Sequence, residues 1–360
     1  MSYERDNIRR MRGYTWGEQP TDSRTIKLNT NENPYPPSPR VQQALSAFPA
    51  DSLRTYPKPT ADPLRDTLAE LHGLERGNVL LTHGGDEALR LAVTTFVDPG
   101  ACFGMSDPSY SLYPVLAEVQ DARIVTVALT EDWALPDDLA AQLNAAGVRL
   151  TCLVNPHAPS GRLTPAERLL ELAVALDGVL LVDEAYADFV DPGHGYDLAA
   201  RVATLPNLLV LRTFSKGYSL AGLRLGYLLG APELIDPMLG KTRDSYNVDA
   251  ISQALGAAAI SDREYAEDTW RRVREARRAL QHGLSQAGIR SWPSESNFVL
   301  ARIPDGARMD AAALYARLKE RGILVRYFTF PRLTDCLRIS VGTPEQNQRL
   351  IDAIGEALHD

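Results

Sequence analysis

Lysine is rare in this chain, and one lysine stands where an amine could act as a nucleophile. The sequence holds only five lysines among its 38 basic residues. Lys216 follows the apolar run NLLVLRTF, at the predicted carboxyl end of a buried strand, where α/β sheets place their ligands. An amine that is partly desolvated there, close to Arg212 and Arg224, should have a depressed pKa and be able to form a Schiff base. The alternative is an ordinary loop lysine in solvent.

A carboxylate emerges at the end of another apolar strand. Asp183 closes the run GVLLVD. Removing a carboxylate from water is costly unless a cation or hydrogen-bond donors meet it. A protonated ring nitrogen would meet this need, and so would a metal ion, but the three cysteines and six histidines form no CxxC or HExxH spacing that indicates a metal site. A helix N-cap or an ion pair with an arginine is the alternative.

Two further strand ends carry groups suited to binding. In VLLTHGGDEAL, two glycines precede a helix, and its free N–H groups favour a phosphate, although a plain strand–turn–helix junction is the alternative. In CLVNPHAPSG, Asn155 follows the strand and offers an amide, or simply serves the turn. Together the four strand ends supply an amine, a carboxylate, an amide and an anion cradle.

Composition limits the classes of protein to be considered. The chain has 360 residues, a formal net charge of -8, 44% hydrophobic residues and 23% charged residues. This composition is typical of a folded chain and disfavours disorder or a nucleic-acid binder that relies on phosphate neutralisation. No apolar run approaches the about 20 residues needed to cross a bilayer, and from the charged start MSYERDNIRRMRGY we expect no signal peptide. We expect a cytoplasmic enzyme of small-molecule chemistry, without membrane or nucleic-acid partners.

The elements that must position these groups alternate between helical and strand patterns from about residue 60. This alternation predicts an α/β fold, with a sheet sandwiched between helices and a smaller α+β domain after Asp249. The expected division is an N-terminal arm at 1–30, a large domain at 31–249 and a small domain at 250–360. The predicted helices are Pro63–Leu71, Glu87–Phe96, Pro165–Leu176 and Glu264–Ala287. The predicted strands are Asn78–Thr82, Arg123–Val127, Thr151–Val154, Val179–Val182 and Leu208–Thr213.

The series NPHAPSG, LVDEAY, TFSKGYSLAGLRLGY and LRISVG, in this order, resembles a known family. It is similar to the fold-type I pyridoxal 5'-phosphate aminotransferases of the aspartate aminotransferase superfamily. The resemblance runs essentially end to end. It implies a three-layer αβα large domain with a mostly parallel mixed sheet, and pyridoxal 5'-phosphate as the cofactor.

The resemblance implies a role for each matching residue around the cofactor. Lys216 would bond covalently to the cofactor and carry the reaction's proton. Asp183 would pair with the protonated ring nitrogen, Tyr186 would hydrogen-bond the phenolate oxygen of the cofactor, and Tyr110 would stack on its ring. The other implied contacts are Asn155 at the phenolate oxygen, Ser215, Arg224 and the Gly85–Asp86 backbone at the phosphate, and Tyr56 from the neighbouring subunit.

The resemblance also implies a substrate site and a partner. Arg338, in CLRIS, would receive the acidic group of the amino donor or of the 2-oxo acid acceptor, since a guanidinium binds a carboxylate or a phosphate bidentately. Arg326 would assist with a phosphate, or it is a surface arginine. Tyr14 and Asn155 would lie beside the substrate. The role of Tyr56 implies a homodimer with shared active sites.

Softer motifs indicate a substrate. GYTWGEQP, LNTNENPYPPSP, TYPKP, GGDEAL and RYFTFPRLTDCLRISVGTPEQN resemble the members that act in histidine biosynthesis. The implied reaction converts L-histidinol phosphate and 2-oxoglutarate to imidazole-acetol phosphate and L-glutamate. The alternatives are an aromatic amino acid aminotransferase, a lyase like threonine-phosphate decarboxylase, and a binding module that keeps the fold without turnover.

Overall fold

The computed structural model of the chain describes residues 2–22 and 24–359. The strands are β1 (Ile26–Lys27), β2 (Val79–Thr82), β3 (Cys102–Asp107), β4 (Arg123–Ala128), β5 (Val148–Val154), β6 (Val179–Asp183), β7 (Leu208–Thr213), β8 (Gly226–Gly230), β9 (Arg290–Ser291), β10 (Phe298–Arg302), β11 (Ile323–Leu324), β12 (Arg326–Tyr327) and β13 (Cys336–Ser340). The helices are α1 (Asp6–Arg10), α2 (Pro39–Ala47), α3 (Asp62–His72), α4 (Gly84–Phe96), α5 (Leu112–Val119), α6 (Leu139–Ala145), α7 (Ala166–Ala175), α8 (Pro232–Pro237), α9 (Ala250–Ile260), α10 (Arg263–Gln286), α11 (Ala311–Glu320) and α12 (Pro344–His359).

The main sheet is mixed and mostly parallel. Over the described residues it has seven strands in the order β2-β8-β7-β6-β5-β3-β4, and β8 runs antiparallel to both of its neighbours. Helices including α3, α4, α6 and α7 pack against these strands. Strands β2, β7 and β8 are buried along nearly their whole length, because helices cover the faces of the sheet. The predicted α/β fold is confirmed.

The predicted elements are present, and their errors lie at the ends. The strand expected from Thr151 begins at Val148. The prediction started too late because Arg149, which is exposed on an otherwise buried strand, interrupts the apolar run. Helix α4, expected from Glu87, begins at Gly84. Its first turn contains Gly84 and Gly85, which apolar periodicity does not assign to a helix. Such ends depend on caps and local packing, which apolar periodicity does not report.

The C-terminal part of the chain contains a second, smaller antiparallel sheet of four strands. Its order is β12-β13-β10-β9. Helices α10 and α11 pack against it, and α12 packs against these two helices. The N-terminal segment joins this part of the chain, since β1 pairs with β11 and the Ser340 N–H donates to the Leu28 carbonyl (2.9 Å). The predicted boundaries at residues 30 and 249 stay a prediction. In residues 2–22 and 24–359, none of the helices combines the length and apolarity needed to cross a membrane.

The topology brings the predicted functional residues to one edge of the main sheet. Asp183 is the last residue of β6, and Lys216 follows the end of β7 by a short turn. The antiparallel β8 begins at this same edge, which brings Arg224 alongside them. The connections reverse direction between β3 and β5, and such a switch point is where open α/β sheets bind ligands.

Truncating a buried valine of β6 tests how strongly the main sheet depends on its core. Val182 is fully buried, so Val182→Ala should lower the free energy of unfolding by about 1.5–3 kcal/mol, through two lost methyl groups and the cavity left behind. Val174→Ala, on α7, is the matched control because Val174 is 75% exposed, and it should cost below about 0.5 kcal/mol. Equal losses in urea unfolding would contradict this account of the core.

Candidate active site

One cavity lies at this edge of the main sheet and extends to the small sheet. It contains about 1230 Å³ of empty space, part of it open to solvent. The structure brings most of the predicted site residues to its wall. These are Tyr14, Gly85, Asp86, Tyr110, Asp183, Tyr186, Ser215, Lys216, Arg224, Arg326 and Arg338. Their shared position is observed, whereas their roles toward a cofactor or substrate stay predictions.

Lys216 is held inside the cavity and is not a solvent-exposed loop lysine. Its Nζ donates a hydrogen bond to the carbonyl oxygen of Thr30 (2.9 Å). Burial lowers the pKa of Lys216 to about 8; Glu32 opposes this shift, and the positive charge of Arg338 adds to it. A sizeable fraction of the amine is therefore neutral near pH 7.5 and able to act as a nucleophile or a base.

Asp183 is a buried carboxylate without a cationic partner. It accepts hydrogen bonds from the Tyr113 hydroxyl (3.0 Å) and the Ala185 N–H (3.1 Å). Within the described ranges no basic side chain forms an ion pair with it, and Arg212 pairs instead with the neighbouring Glu184 (2.6 Å). Burial raises the pKa of Asp183 to about 6, against the lowering effect of the Tyr113 bond. The carboxylate thus favours a positively charged ligand.

A metal ion is not indicated as that ligand. In the parts of the chain that the structure describes, no group of three or more His, Cys, Asp or Glu side chains is arranged to hold a metal. The groups that meet Asp183 are a phenol hydroxyl and a backbone N–H, and neither belongs to the Cys, His and carboxylate ligands of a zinc site. A protonated ring nitrogen fits this donor set better.

Another part of the cavity wall is suited to an anion. The Arg224 guanidinium reaches it and is held by Asp86 (Nη2 to Oδ2, 3.1 Å). Helix α4 begins here at Gly84, and the first N–H groups of a helix have no partner within it. Gly84 has φ +77°, and a Cβ at this position would lie 2.7 Å from Arg224 Nη2. Only glycine fits both the backbone and the approach of the guanidinium.

Aromatic side chains form a further part of the cavity wall. The Tyr110 ring packs edge-on against Tyr113 (centroids 5.5 Å apart) and against Tyr14 (6.1 Å). The Tyr186 hydroxyl accepts a hydrogen bond from Asn31 Nδ2 (3.0 Å), and its ring packs edge-on against Phe298 (5.0 Å). A flat aromatic ligand would find ring contacts on this wall.

Asn155 does not line this cavity, and its contact with the cofactor or substrate stays a prediction that this structure does not support. Its Nδ2 donates to the Thr164 carbonyl (3.0 Å), and its Oδ1 accepts from the Thr164 N–H (2.8 Å). Asn155 borders a separate small cavity beside His157, and Ala158 reaches the main cavity instead. The turn takes up the amide, which is the alternative that the sequence left open.

Tyr56 also lies away from the cavity of its own chain. Its side chain is 80% exposed, and its ring stacks on Tyr246 (centroids 4.4 Å apart, 14° between planes). The predicted contact with a neighbouring subunit's cofactor is not tested by this single chain and stays a prediction.

The end of the cavity nearest the small sheet carries two arginines. Arg326 and Arg338 are paired residues on the neighbouring strands β12 and β13. The Phe328 ring lies between them, with its centroid 5.5 Å from Arg326 Cζ and 5.4 Å from Arg338 Cζ. Burial lowers the pKa of Arg338, and so does the charge of Arg326. Among the residues that the structure describes, the buried Nε of Arg338 has no hydrogen-bond partner. Two adjacent cations with an unused N–H suit a doubly charged anion.

Several residues of the cavity escaped the prediction from sequence. Phe328 and Phe330 lie in RYFTFPRL, a motif that indicated the substrate without assigning a role to either residue. Two aromatic residues so close to Arg326 could have predicted that they line the substrate site. Thr30 and Asn31 belong to LNTNENPYPPSP, a motif that indicated a substrate but no role for either residue. No local pattern marks Ser109, whose buried hydroxyl lines the cavity without a partner.

Comparison with known proteins finds relatives that match this chain over nearly its whole length. The family model "Aminotransferase class I and II" matches residues 23–354. The chain is 40% identical over 358 residues to "Histidinol-phosphate aminotransferase 1" of Trichormus variabilis, covering 99% of each chain. It is 42% identical over 357 residues to the histidinol-phosphate aminotransferase of Syntrophotalea carbinolica, again covering 99% of each.

A solved structure shows the same architecture. The histidinol-phosphate aminotransferase from Sinorhizobium meliloti, in complex with pyridoxal-5'-phosphate, superposes with a TM-score of 0.90 at 26% identity, covering 99% of this chain and 98% of that one. A family match over most of the chain, together with relatives near 40% identity over their whole length, confirms the resemblance. The chain therefore belongs to the class I and II aminotransferases.

Proposed function

We propose that this chain is a pyridoxal 5'-phosphate-dependent transaminase that transfers the amino group of L-histidinol phosphate to 2-oxoglutarate, in histidine biosynthesis. The observation that carries the substrate is the pair Arg326 and Arg338 beside aromatic rings, in the same cavity as Lys216. The names of the relatives support the same reaction. The expected cytoplasmic location stays a prediction.

The residues present fit the proposed cofactor. Asp183 lacks a cation and would hold a protonated pyridine nitrogen, while Arg224, Ser215 and the first N–H groups of α4 would hold the phosphate. When bound, pyridoxal 5'-phosphate supplies an electron-withdrawing ring that stabilises negative charge at the substrate's Cα. Tyr110 lines the same cavity and would stack on the ring of the cofactor.

The chain's own groups can then bind the substrate and move its proton. Lys216 Nζ, with its pKa near 8, can accept a proton and return it. Arg338 and Arg326 would receive the phosphate of one substrate and the distal carboxylate of the other, since a guanidinium binds both groups. Tyr14 and Phe328 would flank an imidazole ring beside them.

We also propose a homodimer with shared active sites. Tyr56 and Tyr246 form an exposed stacked pair, and tyrosine is enriched at protein–protein interfaces relative to the rest of the surface. In that arrangement Tyr56 reaches the phosphate end of the neighbouring cavity.

Substrate preference tests the proposed reaction. With 2-oxoglutarate as acceptor, kcat/KM for L-histidinol phosphate should exceed that for phenylalanine by about 10-fold or more, because a doubly charged phosphate uses both arginines. Threonine phosphate should yield no carbon dioxide. A preference for phenylalanine would favour the aromatic aminotransferase, and release of carbon dioxide would favour the lyase.

Arginine variants show whether this preference comes from the proposed site. Arg338→Ala should lower kcat/KM for both L-histidinol phosphate and 2-oxoglutarate by about 10- to 100-fold, which corresponds to a lost charged hydrogen bond. Arg349→Ala, which removes an exposed arginine on α12, is the matched control and should change neither value. An unchanged KM for both substrates in the Arg338 variant would place the acid site elsewhere.

Chemical reduction tests the role of Lys216. Borohydride treatment of the cofactor-loaded protein should fix the cofactor to the peptide that contains Lys216, detected by its mass. Lys216→Ala should abolish both this label and transamination, because no other described lysine lines the cavity. Lys241→Ala, which removes an exposed lysine, should keep both. Labelling of another side chain, or substantial turnover by the Lys216 variant, would contradict the role.

The pH dependence of stability tests the electrostatics of Asp183. Its pKa is raised to about 6 from 3.8, so between pH 4 and 6 the folded protein keeps a proton that the unfolded chain has lost. Stability therefore falls as the pH rises through this window, by up to about 3 kcal/mol. Without cofactor, Asp183→Asn should be more stable than the wild type at pH 7.5 but not at pH 4, in urea unfolding.

A control separates this effect from a general change of charge. Asp236→Asn, at an exposed position on α8, should show no such difference between the two pH values. The Asp183 variant should also bind pyridoxal 5'-phosphate more weakly, since the ring nitrogen loses its counter-charge. A variant less stable than the wild type at both pH values would contradict this account.

A further inference from the structure

The segment 29–31 touches three of the predicted site residues in succession. The carbonyl oxygens of its first two residues accept hydrogen bonds from Arg338 Nη2 (3.1 Å) and Lys216 Nζ (2.9 Å). Its third residue, Asn31, donates from Nδ2 to the Tyr186 hydroxyl oxygen (3.0 Å). Of these contacts, only the last is made by a side chain of the segment, so only there does residue identity matter directly.

The orientation of the Asn31 amide is determined by its other partners. The Asn31 N–H donates to Ser340 Oγ (2.9 Å), and this hydroxyl in turn donates to Asn31 Oδ1 (3.1 Å). The carbonyl of Asn31 accepts a bond from Asn297 Nδ2 (2.8 Å). Because Oδ1 is occupied by the serine, Nδ2 is the end of the amide that faces Tyr186, and it can only donate.

The backbone of Asn31 explains which residue types this position accepts. Its φ is +57°, in the left-handed region that glycine and asparagine enter most readily, and the residue is 2% exposed. Glycine would keep this backbone and remove only the amide. Aspartate would keep the shape and replace the donor with an acceptor.

The bond from Asn31 determines what the Tyr186 hydroxyl can do. A phenol has one proton to donate, and its oxygen is already accepting from Asn31, so its own proton is free for a partner in the cavity that both residues line. A donor to the oxygen also polarises the O–H group and strengthens its outgoing bond. Since Asn155 does not reach the cavity, Tyr186 is the predicted phenolate partner that remains.

We propose that Asn31 is a positioning residue that holds the Tyr186 hydroxyl as a hydrogen-bond donor toward the phenolate oxygen of the cofactor. This inference rests on the proposed function. It also gives the small sheet a direct connection to the cofactor, because Ser340, which orients Asn31, lies two residues after Arg338 on β13.

A pH titration of the bound cofactor's visible absorption tests the proposal on the loaded protein. Asn31→Gly should raise the midpoint of this titration by about 0.5–1 pH unit, in the same direction as Tyr186→Phe, because a weakened bond leaves more electron density on the phenolate oxygen. Asn31→Asp should shift it in the same direction. In the double variant Asn31→Gly, Tyr186→Phe, the midpoint should equal that of Tyr186→Phe alone.

Asn29→Ala is the matched control. It removes a buried amide of the same segment, whose Nδ2 donates to the Glu18 carbonyl (2.8 Å), and it should leave the titration midpoint unchanged. Asn31→Asp serves the same test if the glycine variant does not fold. Wild-type midpoints in both Asn31 variants, or additive shifts in the double variant, would overturn the proposal alone. A wild-type protein without a visible band would overturn the proposed function together with it.

Discussion

A buried carboxylate without a counter-charge is the constraint on which this cavity depends. Asp183 lies at the end of a strand that helices and neighbouring strands cover, so water cannot solvate it well. Two neutral donors meet it, while the adjacent Glu184 takes the nearby arginine. The folded chain therefore carries an electrostatic cost that a cationic ring ligand would remove. Such a cost is common at sites whose function needs a group that packing alone would not favour.

The order of the strands converts this constraint into a reactive site. The strands run so that the tips of β2, β6 and β7 meet the start of β8 at one edge. An amine, a carboxylate and an anion cradle then border one cavity, although their residues are far apart in sequence. The main sheet carries the groups predicted to bind the cofactor, and the small sheet contributes Arg326 and Arg338 to the same cavity.

The segment 26–31 contacts both the small sheet and the groups at the edge of the main sheet. It pairs with β11, accepts a bond from β13, and then presents two carbonyl groups and one amide to the cavity. Groups predicted to bind the substrate and groups predicted to bind the cofactor are thereby connected through a few hydrogen bonds. A movement of the small sheet would change the hydrogen bond that Asn31 donates to the Tyr186 hydroxyl, because Ser340 orients Asn31.

The sequence alone determined the layout of the chain and its most reactive groups. Apolar runs that end in Asp183 or precede Lys216 are local patterns, and the position of a strand end follows from such patterns. Ends of elements were less accurate, as at Val148 and Gly84, because caps and packing set them. The motifs that carry the family resemblance were likewise contiguous, so they could be recognised without coordinates.

Only the tertiary structure decided which way individual polar groups face. Asn155 followed the expected strand, yet its amide is taken up by Thr164, and Asn31 reaches Tyr186 from 155 residues away in sequence. The depressed pKa of Lys216 and the raised pKa of Asp183 depend equally on burial by distant elements. A hydrogen bond or a desolvation cost is set by what lies within a few ångströms, and folding alone brings those groups together.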